Sequence, residues 1–213
     1  MQLPVEASIC RCLWHSLDKS NNKKQLAPQT KMNKNIRYVA LLRGINVGGY
    51  HKVPMSELSK EMTKLGFENV STLLNSGNIL FDSSLSQDKE LEEVIADHLE
   101  NIFGFPIPVL IRNSIEILDL IKNNPFKQME VTKNIRLYVS FLKQKPDITL
   151  TFPWTSADGS FHILEIRDRA ICSVLDLAVT QTPKGMDALE LLFGKNITTR
   201  NWNTINRIAG KFH

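Results

Sequence analysis

Two loops rich in glycine and asparagine carry the residue types from which proteins build anion sites. The first loop, residues 44–49, reads Gly-Ile-Asn-Val-Gly-Gly and is flanked by Arg43 and Lys52, and the second, residues 75–78, reads Asn-Ser-Gly-Asn. Glycine and asparagine tolerate the positive φ angles at which successive backbone N–H groups form a concave nest for an anion. Flanking basic side chains add charge-assisted hydrogen bonds to phosphate oxygens. These residues therefore predict a phosphate site.

A third stretch adds another basic side chain. Residues 198–204 read Thr-Thr-Arg-Asn-Trp-Asn-Thr, and Arg200 lies beside the predicted N-terminus of the last helix, where the helix dipole favours an anion. The predicted anion-site residues are Arg43, Gly44, Asn46, Gly48, Gly49, Lys52, Asn75, Ser76, Gly77, Asn78 and Arg200.

The same residues also have a purely structural interpretation, which the sequence leaves open. Glycines in a strand-to-helix loop most often supply positive φ or close packing, and hairpins with Ser-Gly are common. The spacing Gly-x-x-x-Gly-Gly matches neither the dinucleotide-binding fingerprint nor the Walker A loop. No Gly-x-Ser-x-Gly or His-Glu-x-x-His stretch occurs, so the sequence predicts no catalytic residue and leaves enzymatic activity open.

Hydrophobic periodicity indicates the elements that must position the first two loops. It predicts a strand over 36–42, a helix from Pro54 to Gly66, strands over 70–74 and 79–81, a helix ending at Gly104 and a strand over 108–111. This β-α-β-β-α-β order is the ferredoxin-like pattern. In that topology the loop after the first strand and the hairpin between the next two strands lie at the same end of the sheet. We therefore expect residues 43–52 to lie near residues 75–78.

The second half of the chain begins the pattern again. Residues 135–142 resemble residues 36–39 about a hundred positions earlier, which indicates duplication. Hairpin strands over 161–166 and 170–175, a helix near 186–193, a short strand or cap over 197–200 and a last helix follow, whereas residues 143–160 show no helical pattern. The predicted fold is α+β with two ferredoxin-like units in tandem, over residues 36–126 and 127–213.

The charge distribution bears on the class of partner. The chain has 213 residues, 42% of them hydrophobic, and a formal charge of +4. Residues 1–35 hold six basic and two acidic side chains, and the remaining residues hold 20 of each sign. Because the predicted folded part is neutral, binding to duplex nucleic acid is disfavoured, while single-stranded RNA on an open sheet face stays an alternative. No run approaches the ~20 apolar residues of a membrane span.

The cysteines favour neither a disulfide framework nor a metal site. Cys10, Cys12 and His15 lack the second ligand pair of a structural zinc site, and Cys172 lies in an apolar run typical of a buried core residue. Three unpaired thiols fit a reducing cytoplasm. Residues 1–35, with a polar stretch at 18–25, are predicted to be a disordered or non-native tail. We expect no metal and no cofactor.

Three separated stretches together match one known pattern. These are Tyr-Val-Ala-Leu-Leu-Arg-Gly-Ile-Asn-Val-Gly-Gly at 38–49, followed by Lys-Val-Pro-Met-Ser-Glu-Leu at 52–58, Asn-Ser-Gly-Asn-Ile-Leu-Phe at 75–81, and Thr-Thr-Arg-Asn-Trp-Asn-Thr at 198–204. They resemble the bacterial domain-of-unknown-function family 1697, over about residues 36–212 and in the same order. The resemblance implies two ferredoxin-like halves in tandem, and it supplies no activity and no catalytic residue.

These observations together predict a cytoplasmic protein that binds a phosphate-bearing small ligand or nucleotide at the Gly/Asn-rich loop end. The alternative is a module without catalytic activity that binds single-stranded RNA or, through its C-terminal helix, another protein. The sequence leaves the oligomeric state and the ligand's identity open.

Overall fold

The first strand is buried on both faces because its sheet lies between two packed layers. β1 (Ile36–Leu42) is almost wholly apolar, and its last five residues are buried. Since successive side chains of a strand point to opposite faces, both faces of this sheet are covered. The computed structural model describes residues 35–180 and 182–212. The predictions for the N-terminal tail and for Cys10, Cys12 and His15 concern residues outside these ranges.

The first half of the structure, residues 36–123, forms one antiparallel sheet with three helices. Its further elements are α1 (Met55–Lys64), β2 (Glu68–Leu73), β3 (Asn78–Ser83), α2 (Asp88–Phe103), β4 (Val109–Asn113) and α3 (Ser114–Asn123). The strand order is β2-β3-β1-β4, and all neighbouring strands are antiparallel.

The second half, residues 135–209, forms a second antiparallel sheet. Its elements are β5 (Ile135–Leu142), β6 (Trp154–Thr155), β7 (Phe161–Arg167), β8 (Ala170–Asp176), α4 (Thr182–Phe193), β9 (Ile197–Asn201) and α5 (Trp202–Ala209). The strand order is β6-β7-β8-β5-β9. Residues 143–160, all of them described, contain the two-residue β6 and no helix, as the sequence pattern predicted. The protein is therefore α+β, with two antiparallel sheets and five helices in the described residues.

Three apolar clusters hold these layers together. The first lies between one face of β1 and helices α1 and α2, and it contains Tyr38, Leu58 and Leu91. The central cluster lies between the two sheets and contains Val39 of β1, Val139 of β5 and the inner faces of α3 and α5. The third packs α4 on the outer face of the second sheet. Because the central cluster draws on both halves, neither half encloses its core alone.

The strands that precede α3 and α5 occupy corresponding places in their sheets. Arg112 of β4 lies opposite Val39 of β1, and Arg200 of β9 lies opposite Val139 of β5. Val139 follows Val39 by one hundred positions. The next residue in each strand, Asn113 or Asn201, is the N-cap of the following helix and accepts a hydrogen bond from a backbone amide in its first turn. Strand and helix are thus matched residue by residue in the two halves.

The two matched arginines each reach into the opposite half. Arg112 is 1% exposed, and its Nη2 donates to the carbonyl oxygens of Leu142 and, at 3.3 Å, Arg169. Arg200 is 8% exposed, and its Nη2 donates to the carbonyl oxygens of Leu42, at 2.7 Å, and Gly77, at 3.3 Å. Leu42 and Leu142 each end an interior strand of a sheet. The halves are therefore joined by a reciprocal pair of arginine contacts to strand-end carbonyl groups.

In the described residues, no helix has the length and apolar content to cross a bilayer. No cluster of three or more His, Cys, Asp or Glu side chains suited to a metal ion occurs there either.

A buried carboxylate joins the first two helices. Glu61 of α1 lies 2.9 Å from Nε2 of His98 on α2 and 2.5 Å from Nζ of Lys64. The hydrogen bond from Lys64 is the main cause that lowers the pKa of Glu61 below its ordinary value of 4.5, while burial opposes it. The ionised carboxylate therefore stabilises the contact between α1 and α2.

We expect Arg112→Ala to lower the free energy of unfolding by about 3 kcal/mol, because it removes the hydrogen bonds that Arg112 donates to the carbonyl groups of Leu142 and Arg169 and opens a void. Urea denaturation at neutral pH measures this. Arg207→Ala, on the exposed side of α5, is the control and should change stability by less than about 0.5 kcal/mol. An Arg112→Ala protein as stable as the wild type would contradict the role of Arg112 in joining the two halves.

We expect Glu61→Gln to lower the unfolding temperature at pH 7 and to have a progressively smaller effect as the pH falls below the ordinary glutamate pKa of 4.5. A carboxyl group whose pKa is lowered by folding stabilises the native state above its unfolded pKa, and this stabilisation is lost as the pH falls through the folded pKa. Differential scanning fluorimetry across this range, with the exposed Glu57→Gln as control, measures the effect. A temperature difference independent of pH would contradict it.

Candidate functional site

The two Gly/Asn loops meet at one end of the first sheet. The side-chain amide of Asn46 donates to the carbonyl oxygens of Asn75, at 2.9 Å, and Val53, at 3.0 Å. The amide of Val53 donates in return to Oδ1 of Asn46. Asn46 therefore fastens the β1–α1 loop to the β2–β3 hairpin, and its polar atoms serve the fold.

The hairpin is a four-residue loop, residues 74–77, with Leu74 and Gly77 at positive φ. Asn75 and Asn78, which could tolerate this conformation, do not adopt it. Asn78 is the first residue of β3, where its buried amide donates to the Leu73 carbonyl and to Oγ of Ser76. A leucine adopts the left-handed conformation here because the register of β2 and β3 places the turn one residue earlier.

A cavity of about 260 Å³ lies where these loops face α4 and β9. We call it the Arg200 cavity. Its lining residues are Leu42, Arg43, Gly44, Ile45, Val47, Ser76, Met186, Leu189, Glu190, Ile197, Thr198, Thr199 and Arg200. The two halves contribute about equally to this wall.

The predicted site residues fall into three groups. Four line the Arg200 cavity, namely Arg43, Gly44, Ser76 and Arg200. Four shape its wall through hydrogen bonds, namely Asn46, Asn75, Gly77 and Asn78. The remaining three, Gly48, Gly49 and Lys52, lie in the exposed part of the loop and do not line it.

The backbone of the first loop keeps amides available. Arg43 and Asn46 donate their amides to the carbonyl oxygens of Pro108 and His51. The amides of Gly44 and Ile45 donate no hydrogen bond to any of the described residues, 35–180 and 182–212. Gly44 has a φ of 73° and Asn46 a φ of 55°, and conformations of this kind direct neighbouring N–H groups into one concavity.

Arg200 is the buried cation of the cavity. Its Nε donates to Oδ1 of Asn78 at 2.6 Å, and its Nη1 donates to the Thr199 carbonyl at 3.0 Å. Nη1 makes no other hydrogen bond to the described residues, so one of its two N–H groups is left over. Burial alone lowers the pKa of Arg200 to about 10, and no carboxylate opposes this effect. The group therefore stays charged at neutral pH without a neutralising partner among the described residues.

Thr198 adds a second incomplete polar group. Its side chain is 1% exposed, and Oγ1 has no hydrogen-bond partner in the described residues. An unpaired buried hydroxyl normally costs about 1–3 kcal/mol. Its place in the cavity wall has no signal in the sequence, because only the tertiary placement of β9 against the β1–α1 loop brings Thr198 there.

An ion pair lies at the rim of the cavity. Nη2 of Arg43 is 2.6 Å from Oε1 of Glu190 on α4, and the two side chains are 32% and 37% exposed. Glu190 was not predicted as a site residue, since an isolated glutamate on a helix carries no signal of its own. A bound anion must compete with this carboxylate for Arg43.

Two groups with nucleophilic or basic side chains, Cys172 and His51, lie outside the cavity. Cys172, predicted as a core residue, is fully buried, and burial raises the pKa of its thiol to about 12. His51 stacks on Phe105 with 4.3 Å between ring centroids, and its Nδ1 lies 3.2 Å from the Gly44 carbonyl. Neither group lines the Arg200 cavity.

Comparisons with known proteins place the fold. A model of the family described as "Protein of unknown function (DUF1697)" matches residues 36–170, a range that ends before α4 and β9. The solved structure of the conserved bacterial protein SP0830 from Streptococcus pneumoniae is similar, with a TM-score of 0.61 and 23% sequence identity over 83% of this chain and 97% of that one. No curated protein matches the chain.

We expect Gly77→Ala to destabilise the protein by about 3 kcal/mol and Gly49→Ala by about 1 kcal/mol. Both glycines have positive φ, but a Cβ atom at residue 77 would lie 2.7 Å from Ile45 Cδ1 and 2.8 Å from Leu42 Cβ, whereas one at residue 49 would meet nothing within 4 Å. Urea denaturation of the two variants isolates the steric term. Equal losses would contradict the close packing of the hairpin on the β1–α1 loop.

Proposed function

The chain belongs to the DUF1697 family of proteins of unknown function, and we propose that it binds a small phosphate-bearing molecule in the Arg200 cavity. One observation carries the proposal. Arg200 is a buried guanidinium beside a cavity, without a carboxylate partner among the described residues. Buried charges are almost always paired, because an unpaired charge in a medium of low polarity is costly. A bound anion supplies the missing partner.

The groups around Arg200 suit a phosphate. A phosphate oxygen accepts from several donors at once, and residues that line the cavity carry the spare Nη1 group of Arg200, the amides of Gly44 and Ile45, and the buried, unpaired hydroxyl of Thr198. Backbone amides and an arginine are the usual donors of phosphate sites.

The size and the remaining walls restrict the rest of the ligand. At about 260 Å³ the cavity lies below the usual range for drug-sized ligands. The apolar residues of its lining include Leu42, Ile45, Met186, Leu189 and Ile197. These features favour a phosphate monoester with a short organic part over a dinucleotide.

Two sequence alternatives lose their structural basis. RNA binding of the kind considered requires an open sheet face, but β1 and the last part of β5 are buried on both faces. The C-terminal helix α5 turns Ile205, Ile208 and Ala209 into the central cluster and contacts α3. Its apolar face is thus used within the described protein.

A tandem of ferredoxin-like units is the architecture that we infer to underlie the site. The order β2-β3-β1-β4 and the order β7-β8-β5-β9 are the same when β6 is left out and the remaining strands are counted within each half. The matched arginines and N-caps support the same duplication. The second unit departs from the pattern, because a loop with β6 replaces its first helix.

Inorganic phosphate and a panel of phosphate monoesters should raise the unfolding temperature of the wild type, and isothermal titration should give one site per chain. Thr198→Val should weaken the affinity about tenfold, since a hydrogen bond to a charged group contributes about 1.5–3 kcal/mol. The free protein should be at least as stable, because the substitution removes an unpaired hydroxyl.

Thr180→Val is the matched control. Oγ1 of Thr180 is also buried and without a partner, and Thr180 does not line the cavity, so its substitution should leave the affinity unchanged. Absence of binding by the wild type, or equal effects of the two threonine substitutions, would contradict the proposal.

A further inference from the structure

The two matched arginines differ in their counter-charge. Glu116 is the third residue of α3 and follows Arg112 by four positions, and its Oε1 lies 3.7 Å from Nε of Arg112. The corresponding residue of α5, also third in its helix and four positions after Arg200, is Thr204. The register of the two sheets fixes this correspondence, because Asn113 pairs with Tyr38 and Asn201 pairs with Tyr138.

Glu116 belongs to a dense network of charges on the first-half arginine. Its Oε1 also accepts from Nη2 of Arg169 at 2.7 Å, and the same nitrogen lies 2.7 Å from Oδ2 of Asp88. Burial is the main cause that lowers the pKa of Arg112 to about 10 and the nearby charge of Arg169 adds to it, while Glu116, Asp88 and Glu92 oppose the shift. Arg112 is thus a buried cation that the protein itself neutralises.

This network borders a second cavity, of about 220 Å³, which we call the Arg112 cavity. Its lining residues are Arg112, Glu116, Asp119, Leu120, Asn123, Phe141, Arg167, Asp168, Arg169 and Ala170. Both cavities combine arginines with apolar residues and hold carboxylates, Glu190 in the Arg200 cavity and Glu116, Asp119 and Asp168 in the Arg112 cavity. The difference is that Glu116 lies next to the buried arginine itself, whereas Glu190 pairs with Arg43 at the rim.

We propose that the third residue of the last helix in each half determines whether that half's buried arginine binds a ligand. This inference rests on the proposed function. In the first half Glu116 is an internal anion, so Arg112 serves only the junction between the halves. In the second half Thr204 carries no charge, so Arg200 keeps an unneutralised positive charge for an external phosphate. The two matched arginines therefore have different roles. Arg112 only joins the halves, whereas Arg200 also binds the ligand.

The proposal predicts a second anion site when the internal anion is removed. In Glu116→Gln the side-chain oxygen still accepts from the Asn113 amide, a contact that Glu116 makes at 3.0 Å, so the capping box of α3 is kept. Arg169 keeps its contact with Asp88. The variant therefore removes the carboxylate charge next to Arg112 with little change to the helix.

Isothermal titration of full-length wild type and variants with inorganic phosphate is the test. We expect one site in the wild type and two in Glu116→Gln. Asp119→Asn, on the wall of the same cavity but without an ion pair to Arg112 among the described residues, is the control and should keep one site. One site in Glu116→Gln would overturn the inference and leave the proposed function intact. No site in the wild type but one in Glu116→Gln would overturn the proposed function and the inference for Arg200, and would support only the role of Glu116 at Arg112.

The reverse substitution tests the second half. Thr204→Glu places a carboxylate four residues after Arg200 and should weaken phosphate binding at least tenfold, whereas Thr204→Gln, of the same size and uncharged, should not. Circular dichroism before titration confirms that both variants are folded. An unchanged phosphate affinity in folded Thr204→Glu, or an equal loss in both variants, would overturn the inference.

Discussion

Each half of this protein inserts a buried guanidinium group into the other, and the rest of the structure depends on that exchange. β1 ends at Leu42 and β5 ends at Leu142. The carbonyl group of Leu42 accepts a hydrogen bond from Arg200, and that of Leu142 accepts one from Arg112. Arginine suits this task because its planar fork holds several donors in a fixed geometry and stays charged when buried. The exchange fixes the distance between the sheets, and the central apolar cluster fills the space that results.

The exchange also explains why a cavity lies where it does. Arg200 draws the β2–β3 hairpin and the end of β1 toward β9, through the carbonyl groups of Leu42, Ser76 and Gly77. The β1–α1 loop follows, because Asn46 is bonded to the hairpin. The space left between that loop and α4 is the Arg200 cavity. The buried positive charge of the cavity comes from Arg200, which joins the two halves. The ligand site that we propose uses this same residue for a second purpose.

Much of this arrangement could be predicted from the sequence, and the limits have physical causes. Apolar periodicity and punctuation by Gly and Pro located the strands and helices, because those signals are local. Topology then brought residues 43–52 close to residues 75–78, and Asn46 and Asn75 are indeed in contact. The roles of Thr198 and Glu190 were out of reach, since both depend on how α4 and β9 pack against the other half. Residue type alone was the reason for predicting Gly48, Gly49 and Lys52 as site residues. They lie in the exposed part of the loop and do not line the cavity.

The most direct measurement is anomalous diffraction from a crystal soaked in selenate, an anion of phosphate-like shape and charge. The account predicts a selenium peak in the Arg200 cavity, within hydrogen-bonding distance of Nη1 of Arg200 and of at least one of the Gly44 and Ile45 amides. No peak should appear in the Arg112 cavity. A well-ordered Arg200 cavity without selenium at saturating selenate, or a peak confined to the Arg112 cavity, would contradict the claim that the unneutralised arginine is the one that binds.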